Sequence, residues 1–137
     1  MVKEGLKPGL KNVIVKTVRE EHTAKFLGSG GVNVLATPAM ITWMEECSRL
    51  LVEKYLDDNE ATVGTHVDVY HKAPAPLSSK VTVESELIQV DGRRLVFKVR
   101  AYSGSITIGE GMHERYIVDL NKFMTKVEKI KESMEMA

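Results

Sequence analysis

The sequence is poor in cysteine and carries no excess of either charge. Its single cysteine, Cys47, cannot form a disulfide bond within the chain, and one thiol cannot assemble a cysteine-based metal site. The 19 basic residues equal the 19 acidic residues, so no overall field favours nucleic acid or an anionic membrane as a partner. The sequence also lacks a signal-like segment and an apolar run long enough to cross a bilayer. These absences predict a soluble cytoplasmic protein with no metal site, no nucleic-acid partner and no membrane partner.

Apolar residues are nevertheless abundant enough for a folded unit. The chain has 137 residues, of which 43% are hydrophobic, and this is enough to bury a core without covalent staples. No internal repeat, low-complexity tract or linker divides it. We therefore predict a single domain over residues 1–137.

The strongest pattern lies between residues 37 and 56, where apolar residues recur at helical spacing. The stripe consists of Met40, Ile41, Met44, Cys47, Leu51, Val52 and Tyr55, with Trp43 and Leu50 beyond one edge. This spacing predicts a long helix with one buried face. Thr37 and Pro38 suit its N-cap and first helical position. Free N–H groups at the same helix start can also bind an anion or a polarised carbonyl, so Thr37 is a cap, a site residue or both.

Two adjacent glutamates on this helix differ in their predicted surroundings. Glu46 falls on the polar side of the helical wheel, where an ionised side chain needs no function. Glu45 falls at the margin of the apolar stripe, beside Ile41 and Val52. A carboxylate that is partly desolvated there is typical of a group with a charged partner or a catalytic role. The alternative is that Glu45 is a rim residue whose carboxylate simply reaches water.

The flanking segments alternate with the period of β-strands. Strands are predicted over residues 10–18, 61–72, 80–90, 94–102 and 106–119, and helical spacing predicts an amphipathic helix over 120–135. Residues 19–36 lack periodicity and include GSGG, which predicts a flexible loop that is either a lid or a plain connector. The strands at 80–90 and 94–102 each have one apolar face. A two-residue turn alone would put these faces on opposite sides of the sheet, so a bulge or an odd-length loop is required. Gly109 and Gly111 in the last strand predict a bend or a close backbone approach.

One histidine is a candidate catalytic residue because of the face it occupies. In the strand at 61–72, alternation puts His71 on the same face as Thr65, Val67 and Val69, which should meet the helix, and His66 on the opposite face. His71 is therefore the better catalytic candidate. Taken alone, a histidine on an apolar face is more often structural.

The predicted order is a strand, a loop, a long buried helix, four strands in a meander and a short C-terminal helix. It gives an α+β protein with an antiparallel sheet wrapped around one central helix, which resembles the hotdog fold. The matching residues are Thr37, W-M-E at 43–45, V-G-T at 63–65, His71, V-D-G-R-R-L at 90–95 and G-M-H-E-R at 111–115. Together they are similar to the fluoroacetyl-CoA thioesterase branch of the hotdog thioesterases, over about residues 37 to 127.

This resemblance implies an acyl-CoA thioesterase that hydrolyses a small acyl thioester to free acid and thiol. It implies a homodimer or higher oligomer with sheets joined edge to edge and active sites near the interface, and no cofactor except the coenzyme A of the substrate. In this family a threonine, a glutamate and a histidine act together, and the matching positions are Thr37, Glu45 and His71. By the same match Gly64 would offer a backbone N–H to the thioester, and Arg115 would lie at or behind the site.

Two departures from the family pattern leave the acyl group open. The family pattern has an aromatic-rich segment before the helix, where this chain has FLGSGGVNVLA, and a glycine where this chain has Pro38. Two other functions also stay open: a non-catalytic acyl-CoA-binding or regulatory hotdog protein, and a hotdog dehydratase or hydratase. The thiol carrier is coenzyme A or a protein-bound pantetheine.

Overall fold

The computed structural model describes residues 4–136. The elements in chain order are β1 (Lys11–Thr17), a 3₁₀ turn (Glu20–His22), α1 (Ala24–Leu27), α2 (Thr37–Glu53), β2 (Glu60–His71), β3 (Lys80–Asp91), β4 (Arg94–Ser103), β5 (Ile106–Asp119) and α3 (Leu120–Met136). All five predicted strands and both predicted helices are present.

The sheet is antiparallel throughout and has the order β1-β3-β4-β5-β2. The predicted antiparallel sheet around a central helix is therefore confirmed. The predicted four-strand meander is wrong, because only β3, β4 and β5 follow one another as neighbours. β2 pairs with β5 at the far edge, and the segment after it contains Pro74 and Pro76, which cannot donate to a ladder and do not form a hairpin.

Helix α2 supplies the side of the core opposite the sheet. Its buried residues are Ala39, Met40, Trp43, Met44, Cys47, Ser48, Leu51 and Val52. The predicted stripe is correct in its centre, but Trp43 is buried rather than beyond the edge. It packs edge-on against the ring of His22, with ring centroids 5.0 Å apart. The helix therefore buries a broader face than the sequence pattern indicated.

The hairpin between β3 and β4 shows how the chain aligns two apolar faces across a tight turn. Leu87 pairs with Phe97 and Gln89 pairs with Val96, so Ile88 is an extra residue on β3. This bulge confirms the expectation that a two-residue turn alone would mismatch the two faces.

Residues 19–36 are more structured than predicted. Thr23 caps α1 by accepting a hydrogen bond from the Phe26 N–H at 3.3 Å, and Gly28 ends α1 in the left-handed region at φ 72°. Isolated bridges then join Thr23 to Leu35 and Val34 to Pro76. These local caps were not recognised in the sequence, and they fix the segment that leads into α2.

A close approach of β5 to its neighbours requires glycine, as predicted. A Cβ atom on Gly109 would lie 2.5 Å from Met40 Sδ and 2.8 Å from the Tyr70 carbonyl oxygen. A Cβ on Gly111 would overlap the Asp68 carbonyl oxygen. The two glycines therefore allow β2 to lie against β5 at the end where His71 is found.

Helix α3 follows β5 directly and projects an amphipathic surface. None of its residues is buried, although Phe123 is half-buried where the helix begins. Within residues 4–136, no helix is both long and apolar enough to cross a membrane.

Candidate active site

The start of α2 and the end of β2 bring Thr37 and His71 together. Thr37 Oγ1 lies 2.7 Å from His71 Nδ1. The prediction that Thr37 caps α2 is wrong, because Ala36 occupies the cap position with an extended backbone and Thr37 is the first helical residue. Its hydroxyl is therefore available to a partner 34 residues away in the sequence.

A bulge in β2 decides which way His71 points. Gly64 pairs with Arg115 and His66 with Glu114, so Thr65 is the extra residue. Thr65 does not face inward as predicted: it is exposed and its hydroxyl donates to the Glu114 carbonyl oxygen at 3.2 Å. The alternation shifts by one residue at this point, and His71 consequently lies on the inner face of the strand, as predicted.

His71 has one ring nitrogen available for chemistry. Its Nε2 atom is buried and finds no hydrogen-bond partner among residues 4–136. Burial also lowers the pKa of His71 below its usual value of 6.5. The neutral imidazole is therefore favoured, and in the tautomer whose Nδ1–H donates to Thr37, Nε2 is the nitrogen that can act as a base.

A second group of residues forms around the Glu45 carboxylate, nearer the middle of α2. Glu45 Oε2 lies 3.6 Å from Arg115 Nη1, and the Glu45 side chain remains 41% exposed. Glu45 is thus at the margin of the apolar face, as predicted, and it has both a charged partner and access to solvent. A Cβ on Gly64 would lie 2.9 Å from Glu45 Oε2, so glycine lets the carboxylate approach the β2 backbone.

Arg115 is a buried cation held by several acceptors. Its Nε donates to Thr62 Oγ1 at 2.8 Å and its Nη2 donates to the Thr62 carbonyl oxygen at 3.0 Å. Its Nη1 lies 3.2 Å from His113 Nε2. The side of the sheet on which Arg115 lies was open in the sequence, and the structure places it on the inner face. The sequence alone gave no role to Thr62 or His113. Counting every second residue of β5 from the buried Ile117 nevertheless puts His113 on the same inner face.

The five predicted site residues therefore form two groups in one chain. Thr37 and His71 lie at the start of α2, while Glu45, Gly64 and Arg115 lie farther along it. Eight residues of helix separate Thr37 from Glu45, which is about 12 Å along the axis at 1.5 Å per residue.

Each group borders a cavity of its own. The cavity at Thr37 and His71 has a volume of about 340 Å³ and is walled by the segment before α2 and by residues 71–74. Its apolar walls include Val32, Val34 and Ala73. The cavity at Glu45 and Arg115 has a volume of about 330 Å³. Both volumes are at the small end of the range usual for ligand sites in proteins.

Cys47 is not a competing nucleophile. The thiol is fully buried, and its single S–H has two carbonyl acceptors within reach, Asn12 at 3.3 Å and Val83 at 3.4 Å. Burial raises the pKa of the Cys47 thiol to about 11, which disfavours the reactive thiolate. Residues 4–136 also contain no cluster of three or more histidine, cysteine or acidic side chains that could hold a metal ion.

We expect the stability of the protein to fall as the pH is lowered below about 6.5. Burial lowers the pKa of both His71 and His113, so the unfolded chain binds protons that the folded chain resists. The stabilisation is complete above the unfolded pKa of 6.5 and is lost as the pH falls toward the lowered folded pKa. Melting temperatures between pH 8 and pH 5, at fixed protein concentration, measure the effect.

The matched variant for this measurement is His113→Gln, which removes the buried one of the two imidazoles with lowered pKa. Its melting temperature should depend less on pH than that of the parent. Carboxylates such as Glu110, whose pKa is lowered from 4.5 by Lys72, titrate below this window. A melting temperature that stays constant from pH 8 to pH 5 would contradict the assignment of neutral buried histidines.

Comparison with known structures identifies the class of the fold. A thioesterase superfamily member from Thermus thermophilus is 28% identical and superposes with a TM-score of 0.90, covering 98% of this chain and 99% of that one. A hot-dog-like protein from Thermanaerovibrio acidaminovorans, at 23% identity and a TM-score of 0.83, shares the fold over 89% of this chain and 90% of its own. The chain is therefore a hotdog-fold protein of the thioesterase type.

The family follows from closer relatives. Residues 18–121 match the family described as fluoroacetyl-CoA-specific thioesterase, and the chain belongs to this family. It is 41% identical over 112 residues to the fluoroacetyl-CoA thioesterase of Streptantibioticus cattleyicolor, covering 82% of this chain and 81% of that protein. A solved structure of the fluoroacetyl-CoA thioesterase FlK is 33% identical with a TM-score of 0.86, over 92% of this chain and 98% of its own.

Proposed function

We propose that this thioesterase hydrolyses the coenzyme A thioester of a small acyl group, with Thr37, Glu45 and His71 as its catalytic residues. The observation that carries the proposal is the bond between Thr37 and His71 Nδ1, which leaves His71 Nε2 without a partner among residues 4–136 beside a small cavity. A related structure holds fluoroacetate and coenzyme A, and another holds acetyl-CoA. Small acyl thioesters are therefore ligands of relatives that share this fold.

The residue types suit thioester hydrolysis. The thiolate leaving group needs little protonation, so the enzyme must supply a nucleophile and stabilise the oxyanion. Glu45 either attacks the thioester carbonyl to give an anhydride or activates a water molecule. His71 moves the proton at Nε2, and Thr37 holds the ring through Nδ1. We assign the backbone N–H of Gly64 as the donor to the carbonyl oxygen, and Arg115 pairs with Glu45 at 3.6 Å.

We further propose that each active site is shared between two copies of the chain. Because Thr37 and His71 lie about 12 Å along α2 from Glu45, one chain does not bring the three groups to a single carbonyl. A homodimer does so if Glu45 of the partner subunit faces Thr37 and His71. The site is then complete only in the dimer.

The exposed edge of β2 provides the surface for this pairing. In the sheet β2 has a single neighbour, β5, and residues 64–68 are all exposed. Antiparallel pairing of β2 with its copy about a two-fold axis at Asp68 sets Val67 against Val69 of the partner subunit, and because Thr65 is an extra residue it places His71 beside Gly64 of the partner subunit. Since Gly64 contacts Glu45 within each chain, this register brings the two groups of site residues together.

The composition of the two sheet edges also favours β2. The other edge strand, β1, carries Lys11 and Lys16, and lysine is a common means of preventing strand addition. Residues 60–71 contain no lysine, whereas both edges expose apolar side chains, Val13 and Val15 on β1 and Val67 and Tyr70 on β2. We therefore propose edge-to-edge pairing through β2, and higher oligomers would use other surfaces.

We propose a small aliphatic acyl group, because the cavity at His71 has a volume of only about 340 Å³ and apolar walls that include Val32, Val34 and Ala73. Among residues 4–136, no side chain argues specifically for a fluorinated substrate. We propose no cofactor beyond the coenzyme A of the substrate. A cytoplasmic location stays a prediction of the sequence.

The test of the function is thiol release, followed with a thiol-trapping dye, from short, branched, aromatic, fluorinated and 3-hydroxyacyl coenzyme A thioesters. We expect turnover with short aliphatic acyl groups and little with aromatic ones. Binding of acyl-CoA without thiol release would favour a non-catalytic binding protein. Loss of water from the 3-hydroxyacyl thioester without thiol release would identify a dehydratase.

A further inference from the structure

His113 is a buried histidine that the catalytic proposal does not use. Only 1% of it is exposed, and its ring is stacked on Phe97 with centroids 6.0 Å apart. Its two ring nitrogens are both engaged: Nδ1 lies 2.8 Å from the His66 carbonyl oxygen, and Nε2 lies 3.2 Å from Arg115 Nη1. A buried imidazole with two fixed partners has a defined protonation state.

The partners of His113 determine that state. A carbonyl oxygen only accepts, so His113 Nδ1 carries the proton and donates it to His66. A guanidinium only donates, so His113 Nε2 is unprotonated and accepts from Arg115. A proton on Nε2 would point one N–H at another and would place two cations 3.2 Å apart. Glu45 and Glu114 oppose this effect electrostatically, but burial and Arg115 keep the pKa of His113 below its usual value.

The acceptor at His113 completes the set that orients Arg115. Thr62 takes the Nε and Nη2 protons of Arg115, and His113 takes one from Nη1, the same nitrogen that faces Glu45 at 3.6 Å. The position of Nη1 relative to the Glu45 carboxylate therefore depends on an acceptor at His113. Gly64 permits the approach of Glu45 to this group, because a Cβ there would lie 2.9 Å from Glu45 Oε2.

We propose that His113 is a positioning residue for the hydrolysis, which as a neutral acceptor holds Arg115 against the Glu45 carboxylate. This inference rests on the proposed role of Glu45. His113 does not touch the substrate and transfers no proton. Its contribution is to keep the Arg115 cation at a fixed distance and angle from the carboxylate through the reaction.

The test compares His113→Leu with His113→Gln on an acyl-CoA that the parent hydrolyses. Both changes remove the ring N–H that donates to His66, but only glutamine keeps a side-chain acceptor near the position of Nε2. We expect His113→Leu to lower kcat by about 10- to 100-fold, the effect of a misplaced catalytic group, with little change in KM. His113→Gln should recover most of that loss. Equal kcat in parent and leucine variant, or equal losses in the two variants, would overturn the proposal.

A double-mutant cycle separates positioning from general damage. If His113 acts through Arg115 on Glu45, then adding His113→Leu to Glu45→Gln should lower kcat no further than Glu45→Gln alone. A structural role would multiply the two losses, and that result would refute the inference. If Glu45→Gln itself keeps parental turnover, the proposed function fails instead, so the two failures are distinguishable.

Thr62 provides a second variant if His113→Leu does not fold. Thr62→Val removes the hydroxyl that accepts from Arg115 Nε and conserves volume, while Thr62→Ser keeps that hydroxyl. We expect a lower kcat for valine with recovery in serine. Parental kcat in a folded Thr62→Val variant would then count against orientation of Arg115 as the source of the effect.

Discussion

Glu45→Gln should lower the turnover of acyl-CoA by about 10²-fold or more, the scale of a lost nucleophile or general base. The glutamine amide has nearly the same shape as the carboxylate but can neither attack the thioester nor take a proton from water. Because the side chain is 41% exposed and its buried partner Arg115 keeps its contacts with Thr62 and His113, the fold should survive the change. Thiol release under saturating substrate measures the loss, and circular dichroism verifies the fold.

The matched control is Glu46→Gln, one position along the same helix. Glu46 Oε1 lies 2.8 Å from Lys16 Nζ on β1, so its charge is engaged away from the Glu45–Arg115 pair. Loss of this half-exposed ion pair should cost at most about 1 kcal/mol in stability and leave kcat unchanged. If the two variants retain the same activity, Glu45 is neither the nucleophile nor the base.

The features that the sequence predicted are those that depend on local spacing. Periodicity located α2 and the five strands, and it distinguished Glu45 from Glu46, although Glu46 proved to have a partner in Lys16 rather than a purely solvated position. The alternation of apolar residues on β3 and β4 required a bulge to bring their apolar faces to the same side of the sheet, and the structure places this bulge at Ile88. Each of these follows from neighbours within about one hairpin or two helical turns.

The features that the sequence did not predict depend on partners far apart in the chain. A local rule makes Thr37 an N-cap, but a histidine 34 residues away takes its hydroxyl and Ala36 serves as the cap. The pairing of β2 with β5 joins residues such as Glu60 and Asp119, which no local pattern connects. His113 is obscured in the sequence by the two glycines that precede it and by its charged neighbours, and only the buried partners around Arg115 give it a role.

A heterodimer of two inactive chains should recover about half of the parental turnover. If one chain carries Glu45→Gln and the other His71→Ala, a site built across the interface combines both defects in one place and leaves the second site intact. The two homodimers should each show losses of about 10²-fold, because both of their sites lack one catalytic group. Coexpression with two different affinity tags and tandem purification yields the heterodimer for the thiol-release assay.

The reciprocal heterodimer predicts the opposite result and removes the remaining ambiguity. In the reciprocal heterodimer, one chain carries both Glu45→Gln and His71→Ala and the other is parental. If the sites are shared, each of the two active sites then lacks one catalytic group, so activity should be lost. If instead each chain held its own complete site, the parental chain would retain about half of the activity in this heterodimer, and the first heterodimer would be inactive. The heterodimer that is active with shared sites is inactive with separate sites, and the reverse holds for the other heterodimer. Differences in expression or folding cannot reproduce this pattern. The pair of measurements therefore tests directly whether the 12 Å or so that separates Thr37 from Glu45 along α2 is bridged by a second subunit.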